Sequence, residues 1–300
     1  MPVEALSARI AREAGNGVEE RWLQLAEGRM RYLRAGSGPA LILVHGLFGY
    51  SFSWRYVIPA LAPYLTVYAP DMLGAGFSDR APQIDYSMPA TARRLVEFIS
   101  RLGIPTSSFD LLGTSHGGAI AMMAAAQCQR AESRVEMRRL VLVAPVNPYS
   151  AHGRWIAPFF GSPLGAKLFR QTFARMPFLF RYGHRRLYAD RANIPAGALE
   201  GYMAPLAMPG LFEHGLSIVR TWTRNLRELE SLLPQAGNVP TLFLWGSNDS
   251  AVYASSAKSL AAHFKNSRTI VFPKTGHLPY EECPEEFNRA LIEFLVSERH

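Results

Sequence analysis

With 300 residues, 48% hydrophobic and 19% charged, the chain is long enough for one large core with an inserted lobe and too apolar for a disordered segment. Its two cysteines, Cys128 and Cys283, make neither a CxxC pair nor a Cys/His cluster at metal-ligand spacing, so both read as reduced and no metal or organic cofactor is implied. A net charge of +8 arrives without a nucleic-acid-binding pattern, and no secretory or membrane-spanning apolar run occurs, so a cytoplasmic protein with no nucleic-acid partner is expected.

After an N-terminal amphipathic stretch, Trp22 to Ala26 and Met30 to Arg34 flank Glu27-Gly28 and read as a hairpin. Short apolar runs then follow at Leu41 to His45, Leu65 to Ala69, Phe109 to Gly113, Leu140 to Ala144, Thr241 to Trp245 and Thr269 to Phe272. Between them, Ser53 to Leu61, Met88 to Leu102, Gly117 to Gln129, Ala254 to Phe264 and Pro284 to Glu298 carry helical patterns. This alternation predicts an α/β fold: a mostly parallel central sheet flanked by helices.

The rhythm breaks after Val146. From 147 to 235 no comparable strand occurs, and apolar residues such as Trp155, Phe159 and Phe173 recur at helical spacing. An all-helical cap over 147–235 is predicted, inserted into a core domain of 1–146 and 236–300, with Met176-Pro177, Ile194-Pro195 and Met208-Pro209-Gly210 dividing it into several short helices. From Pro148 to Gln235 there are eleven Arg or Lys against five Asp or Glu. That excess reads either as a solvated Arg-rich face or as a surface for anionic substrates or peripheral contact with anionic lipid.

Chemistry concentrates at Gly113-Thr114-Ser115-His116-Gly117, directly after one predicted strand and before a predicted helix. A G-x-S-x-G sequence in that context makes a sharp turn that holds the serine clear of the backbone. An unactivated hydroxyl is a poor nucleophile, so a base and an orienting acid must follow. Asp249 comes after the buried strand Thr241 to Trp245, and His277 lies in a glycine-flanked loop after the last strand. Ser115, Asp249 and His277 therefore read as nucleophile, orienting acid and general base. Asn147, another post-strand position, cannot ionise.

Several patterns then agree at once: His45-Gly46 after the first core strand, Asp71-Met72-Leu73-Gly74-Ala75-Gly76-Phe77-Ser78, the elbow itself, and Gly276-His277 through Glu282-Cys283-Pro284 to Phe287. Over nearly its whole length the chain resembles the α/β-hydrolase superfamily, in particular esterase- and lipase-like members with a helical cap. The resemblance implies an oxyanion hole made by the backbone N–H of His116 and of Leu47, with Phe48 as the alternative donor. It implies an ester substrate of small-molecule size, cleaved through an acyl-enzyme. Phe48, Trp155, Phe159, Phe173, Met208 and Leu278 are candidates for its binding pocket, although cap aromatics such as Trp155 and Trp222 also suit a cap core. Asp71, Gly74 and Gly76 read as loop-shaping, and His45 as loop-ordering rather than a base.

Ser115 disfavours the alkyl-enzyme route of epoxide hydrolases and haloalkane dehalogenases, which place Asp at that position. Carbon-carbon bond hydrolases of ring-cleavage pathways share the serine and the cap but usually carry an H-G-x-G-P-type loop; here the loop is His45-Gly46-Leu47-Phe48-Gly49. That activity is the runner-up. A ligand receptor that keeps the triad is a third reading.

Overall fold

A computed structural model describes residues 17–104, 108–129, 135–150 and 177–296, with isolated positions between 162 and 171. Its core is one eight-stranded sheet: β1 (Glu19–Leu25), β2 (Gly28–Ala35), β3 (Ala40–Val44), β4 (Thr66–Pro70), β5 (Ser108–Thr114), β6 (Glu136–Val143), β7 (Thr241–Gly246) and β8 (Ser267–Phe272), ordered β1-β2-β4-β3-β5-β6-β7-β8. The β1–β2 and β2–β4 pairs are antiparallel, and all later neighbours are parallel. Leu25 pairs with Gly28, so the hairpin turns on Ala26-Glu27, one residue earlier than the sequence suggests.

Every residue of Ala-Leu-Ile-Leu-Val in β3 is buried. Alternation within that apolar run loads both faces of the sheet: Ile42 and Val44 enter one cluster, Leu41 and Leu43 the other. Edge strand β8 carries Ser267, Arg268 and Thr269 exposed. The flanking helices are α1 (Ile58–Leu61), α2 (Met88–Arg101), α3 (His116–Cys128), α4 (Pro177–Arg185), α5 (Ala198–Met203), α6 (Leu211–Ala236), α7 (Ala257–Ala261), α8 (Pro279–Glu282) and α9 (Pro284–Leu295), with short 3-10 turns at Ser51–Trp54 and Ala254–Ser256. Pro284 opens α9, with Glu285 and Glu286 in its positive first turn.

Among the described residues between β6 and β7 there are helices and turns and no strand, so the insertion is helical. The expectation of several short helices holds for α4 and α5. It fails for α6, which runs 26 residues because Pro234 lies in its last turn and Gly215 is tolerated within it. Ile218, Leu226, Leu229 and Leu233 of α6 join α3 in one apolar cluster. α3 itself is buried at twelve of its thirteen positions, since β5, β6 and α6 cover it.

Candidate active site

The parallel strands deliver their following loops to one rim of the sheet, where α/β folds place ligands. Ser115 sits between β5 and α3 with φ 53° and ψ −121°, a conformation that costs a non-glycine residue about 1–3 kcal/mol and is held by its surroundings. Its N–H donates to the Val143 carbonyl at 2.9 Å, and its own carbonyl accepts from Gly118 and Val146, both at 2.9 Å. The flanking glycines are required by close approach. A Cβ on Gly117 would stand 2.2 Å from the His45 carbonyl oxygen, and one on Gly113 would stand 2.4 Å from the Gly117 carbonyl oxygen.

Asp249 follows β7 and His277 follows β8. Their loops press together closely enough that a Cβ on Gly246 would lie 2.0 Å from the Gly276 carbonyl oxygen. His277 Nδ1 lies 2.7 Å from Asp249 Oδ2, with both side chains buried. The other carboxylate oxygen, Oδ1, accepts the N–H groups of Ala251 (2.8 Å) and Val252 (2.9 Å), which fixes the carboxylate plane. Bonding of Nδ1 to the carboxylate leaves Nε2 as the free imidazole nitrogen.

Ser115 and His277 line one cavity of about 330 Å³, together with Gly46, Leu47, Phe48, Leu179, Phe180, His184, Leu187, Tyr202, Leu278 and Tyr280 among others. Of the residues proposed from sequence for a binding pocket, Phe48 and Leu278 are in this wall. Met208 is not in it; it packs on an apolar cluster of Tyr50, Phe52, Phe77, Phe180 and Tyr202, of which Phe180 and Tyr202 line the cavity. Trp155, Phe159 and Phe173 lie outside the described residues. A second cavity of about 190 Å³ meets the first at Leu47, Ser115 and Ala251 and is walled further by His116, Val146, Asn147, Ser150, Trp222, Leu226 and Val252.

Leu47 and His116 line the smaller cavity together with Ser115. His116 is the first residue of α3, where helical N–H groups have no intrahelical acceptor and the dipole favours negative charge. Leu47 lies in the Gly46–Gly49 turn closed by the Gly49 N–H to the Gly46 carbonyl at 3.0 Å. Neither the Leu47 nor the His116 N–H donates in the backbone hydrogen bonds of the described turns. His45 orders this loop: its Nε2 accepts the Met72 N–H at 3.0 Å, so the proton resides on Nδ1, 2.9 Å from the Gly46 carbonyl oxygen. Burial lowers its pKa, keeping the ring neutral. Asp71 shapes the adjacent loop by accepting the N–H groups of Ser51 and Phe77 and pairing with Arg31 at 3.1 Å.

A polar cluster beneath the larger cavity has no sequence signature. Glu281 of α8 is buried and paired with Arg55 at 2.7 and 2.9 Å, and it also accepts the hydroxyls of Tyr188 (2.5 Å) and Tyr202 (2.6 Å) from the insertion. Asn147, set aside as an acid, spends its amide on Pro145, Ser256 and Tyr149. Among the described residues no group of three His, Cys, Asp or Glu gathers as metal ligands.

A family model described as alpha/beta hydrolase fold matches residues 39–284. The chain is 28% identical over 288 residues to Haloalkane dehalogenase 2 of Mycobacterium bovis, covering 92% of this chain and 94% of that one. It is likewise 28% identical over 270 residues to the Pimeloyl-(acyl-carrier protein) methyl ester esterase of Aeromonas hydrophila subsp. hydrophila, covering 87% and 97%. A crystal structure of a membrane phospholipase A, described as a novel bacterial virulence factor, superposes with a TM-score of 0.77 at 24% identity over 99% of this chain and 91% of the other, a likeness of fold.

Proposed function

Because this chain belongs to the alpha/beta hydrolase fold family, we propose that it is a serine hydrolase that cleaves carboxylic esters bearing a hydrophobic group. The observation that carries this reading is the buried His277–Asp249 pair on a cavity whose wall also holds Ser115 in a strained elbow. In this mechanism Asp249 holds the imidazole with Nδ1 protonated, and Nε2 takes the Ser115 proton as Oγ attacks the ester carbonyl carbon. The N–H groups of Leu47 and His116 receive the developing oxyanion. The protonated imidazole then gives its proton to the departing alcohol, and water, activated by the same nitrogen, releases the acid from Ser115. The division into a core of 1–146 and 236–300 and a cap of 147–235 belongs to the same reading.

Ser115 stands where a dehalogenating or epoxide-opening route needs a carboxylate nucleophile, so acyl transfer is favoured over the activity named for the dehalogenase relative. Phe48, Leu179, Phe180, Leu187 and Leu278 favour an apolar chain in the larger cavity. The expected result is saturable hydrolysis of p-nitrophenyl acyl esters over a series of chain lengths, lost in a folded Ser115→Ala variant. Turnover that survives this substitution, or a single slow turnover with no steady state, would sink the proposal.

A further inference from the structure

Helix α4 turns one face to the larger cavity: Leu179, Phe180, Gly183 and His184 line it, and Leu187 lines it just past the helix end. Residues four apart stack in one row along a helix, so a side chain at 183 would stand between Leu179 and Leu187. Burial breaks at one place in this wall. Phe180 and His184 are buried and Leu179 and Leu187 half-buried, whereas Gly183 is exposed although it borders the cavity. The wall is therefore interrupted at Gly183, where the cavity meets solvent.

Nothing in the backbone asks for glycine there. Its φ lies outside the left-handed region, and α4 continues for two residues beyond it, to Arg185, so it is not the glycine that ends a helix. Nor does close approach require it, since a Cβ on Gly183 would have no atom of a described residue within 4 Å. Gly201 and Gly215, also in helices of the insertion, differ in this respect: a Cβ there would stand 2.1 Å from the Phe52 ring and 2.7 Å from the Phe48 ring. Glycine is the poorest helix former after proline, so α4 is less stable with it than with alanine. What the missing side chain leaves is open space in the cavity wall.

We infer that Gly183 is a specificity-determining residue: its bare backbone is a sill between Leu179 and Leu187, over which the far end of a long apolar chain leaves the larger cavity. A bulky side chain at this position would close the sill to long chains. A short chain, contained within the cavity, would not meet it. This role rests on the proposed reading of the larger cavity as the place of the ester's apolar group.

The test reads binding, so its outcome is separate from whether the chain hydrolyses esters. N-methylhexanamide and N-methyldecanamide, uncharged and differing by four methylenes, are titrated calorimetrically into Ser115→Ala protein. Adding Gly183→Phe is expected to weaken the longer amide about tenfold, the worth of about two methylenes returned to water, and the shorter one by less than about twofold. Gly183→Leu should give a smaller loss in the same direction and repeats the comparison with less bulk. Gly183→Ala should raise Tm by about 2 °C, because the added methyl meets open space and improves the helix. Equal weakening of both amides, no change in either, tighter binding of the longer one, or no binding of either before Gly183 is changed overturns the inference. A lower Tm in Gly183→Ala also overturns it, because the glycine would then be a structural need of α4. A length-selective loss in a protein that hydrolyses no ester leaves the role of Gly183 standing and sinks the hydrolase proposal alone.

Discussion

The backbone N–H of His277 donates to the carbonyl of Leu187 at 2.7 Å, which ties the loop carrying the imidazole directly to the helical insertion. Glu282 doubles this tie, accepting the Gly276 N–H at 2.7 Å on one carboxylate oxygen and the Ala189 N–H at 2.9 Å on the other. Ser250 adds a third link through its hydroxyl to the Arg186 carbonyl at 2.7 Å. Glu282→Ala should therefore lower kcat by up to about a hundredfold through misplacement of the imidazole, with KM changing less. Steady-state kinetics beside near-ultraviolet circular dichroism checks this, and Glu282→Gln, which keeps one acceptor oxygen, should recover part of the rate.

Asp249→Asn tests the proposed orienting role. The amide cannot hold the imidazole with Nδ1 protonated as the carboxylate does, and the expected loss in kcat is about 10⁴-fold, as in the serine-protease template. A loss below about tenfold would assign the carboxylate to the turn it caps rather than to the chemistry.

The Arg55–Glu281 pair makes a stability prediction. Removing one member of a buried pair leaves the other uncompensated, at a cost of about 3–5 kcal/mol. Arg55→Met should show that loss in urea denaturation. Arg55→Met combined with Glu281→Leu should lose less than the sum of the two single changes, because no charge is then stranded. Strict additivity would mean that the two side chains do not interact in solution.

Acid sensitivity follows from two buried imidazoles. Desolvation takes His116 from 6.5 down to about 3 and His184 from 6.5 down to about 4. Below 6.5 the unfolded chain binds protons that the native one refuses, so stability is full above that pH and falls as pH drops towards 4. Each group contributes a slope of about 1.4 kcal/mol per pH unit within that window. Urea titrations across this range should give His184→Phe a shallower slope than the parent; equal slopes would mean that the native His184 ring is already charged.

The elbow was legible in the sequence because every part of it is local: a strand, a turn whose glycines admit a tight approach, and a helix. Gly117→Ala extends that reading into a measurable cost, since the added methyl meets the His45 carbonyl rather than a movable side chain. A loss of about 3 kcal/mol or more in urea denaturation is expected, and a near-neutral variant would mean that the loop yields.

The strands along the chain, and the positions of Asp249 and His277 in loops after β7 and β8, were also legible, because short apolar runs bounded by turn residues report burial directly. Three features were not. The hairpin turn slipped by one residue because Gly28 begins a strand at φ +155°, where its usual meaning as a turn residue misleads. The length of α6 was not legible either, because the punctuation at Met208-Pro209-Gly210 marks where this helix begins and not how far it runs. The walls of both cavities come from residues as distant as Phe48, His184, Trp222 and Tyr280, and no periodicity within a segment reports such a meeting.

α6 leaves one lasting consequence. By roofing α3, whose thirteen positions are nearly all withdrawn from water, it makes the insertion part of the foundation rather than a detachable visor. Pruning this lobe to a short linker, as an engineer might to widen access, would bare an oily ridge behind the elbow and yield aggregate before it yielded a broader catalyst. Variation in selectivity is better sought by exchanging side chains along α6 while its backbone stays in place.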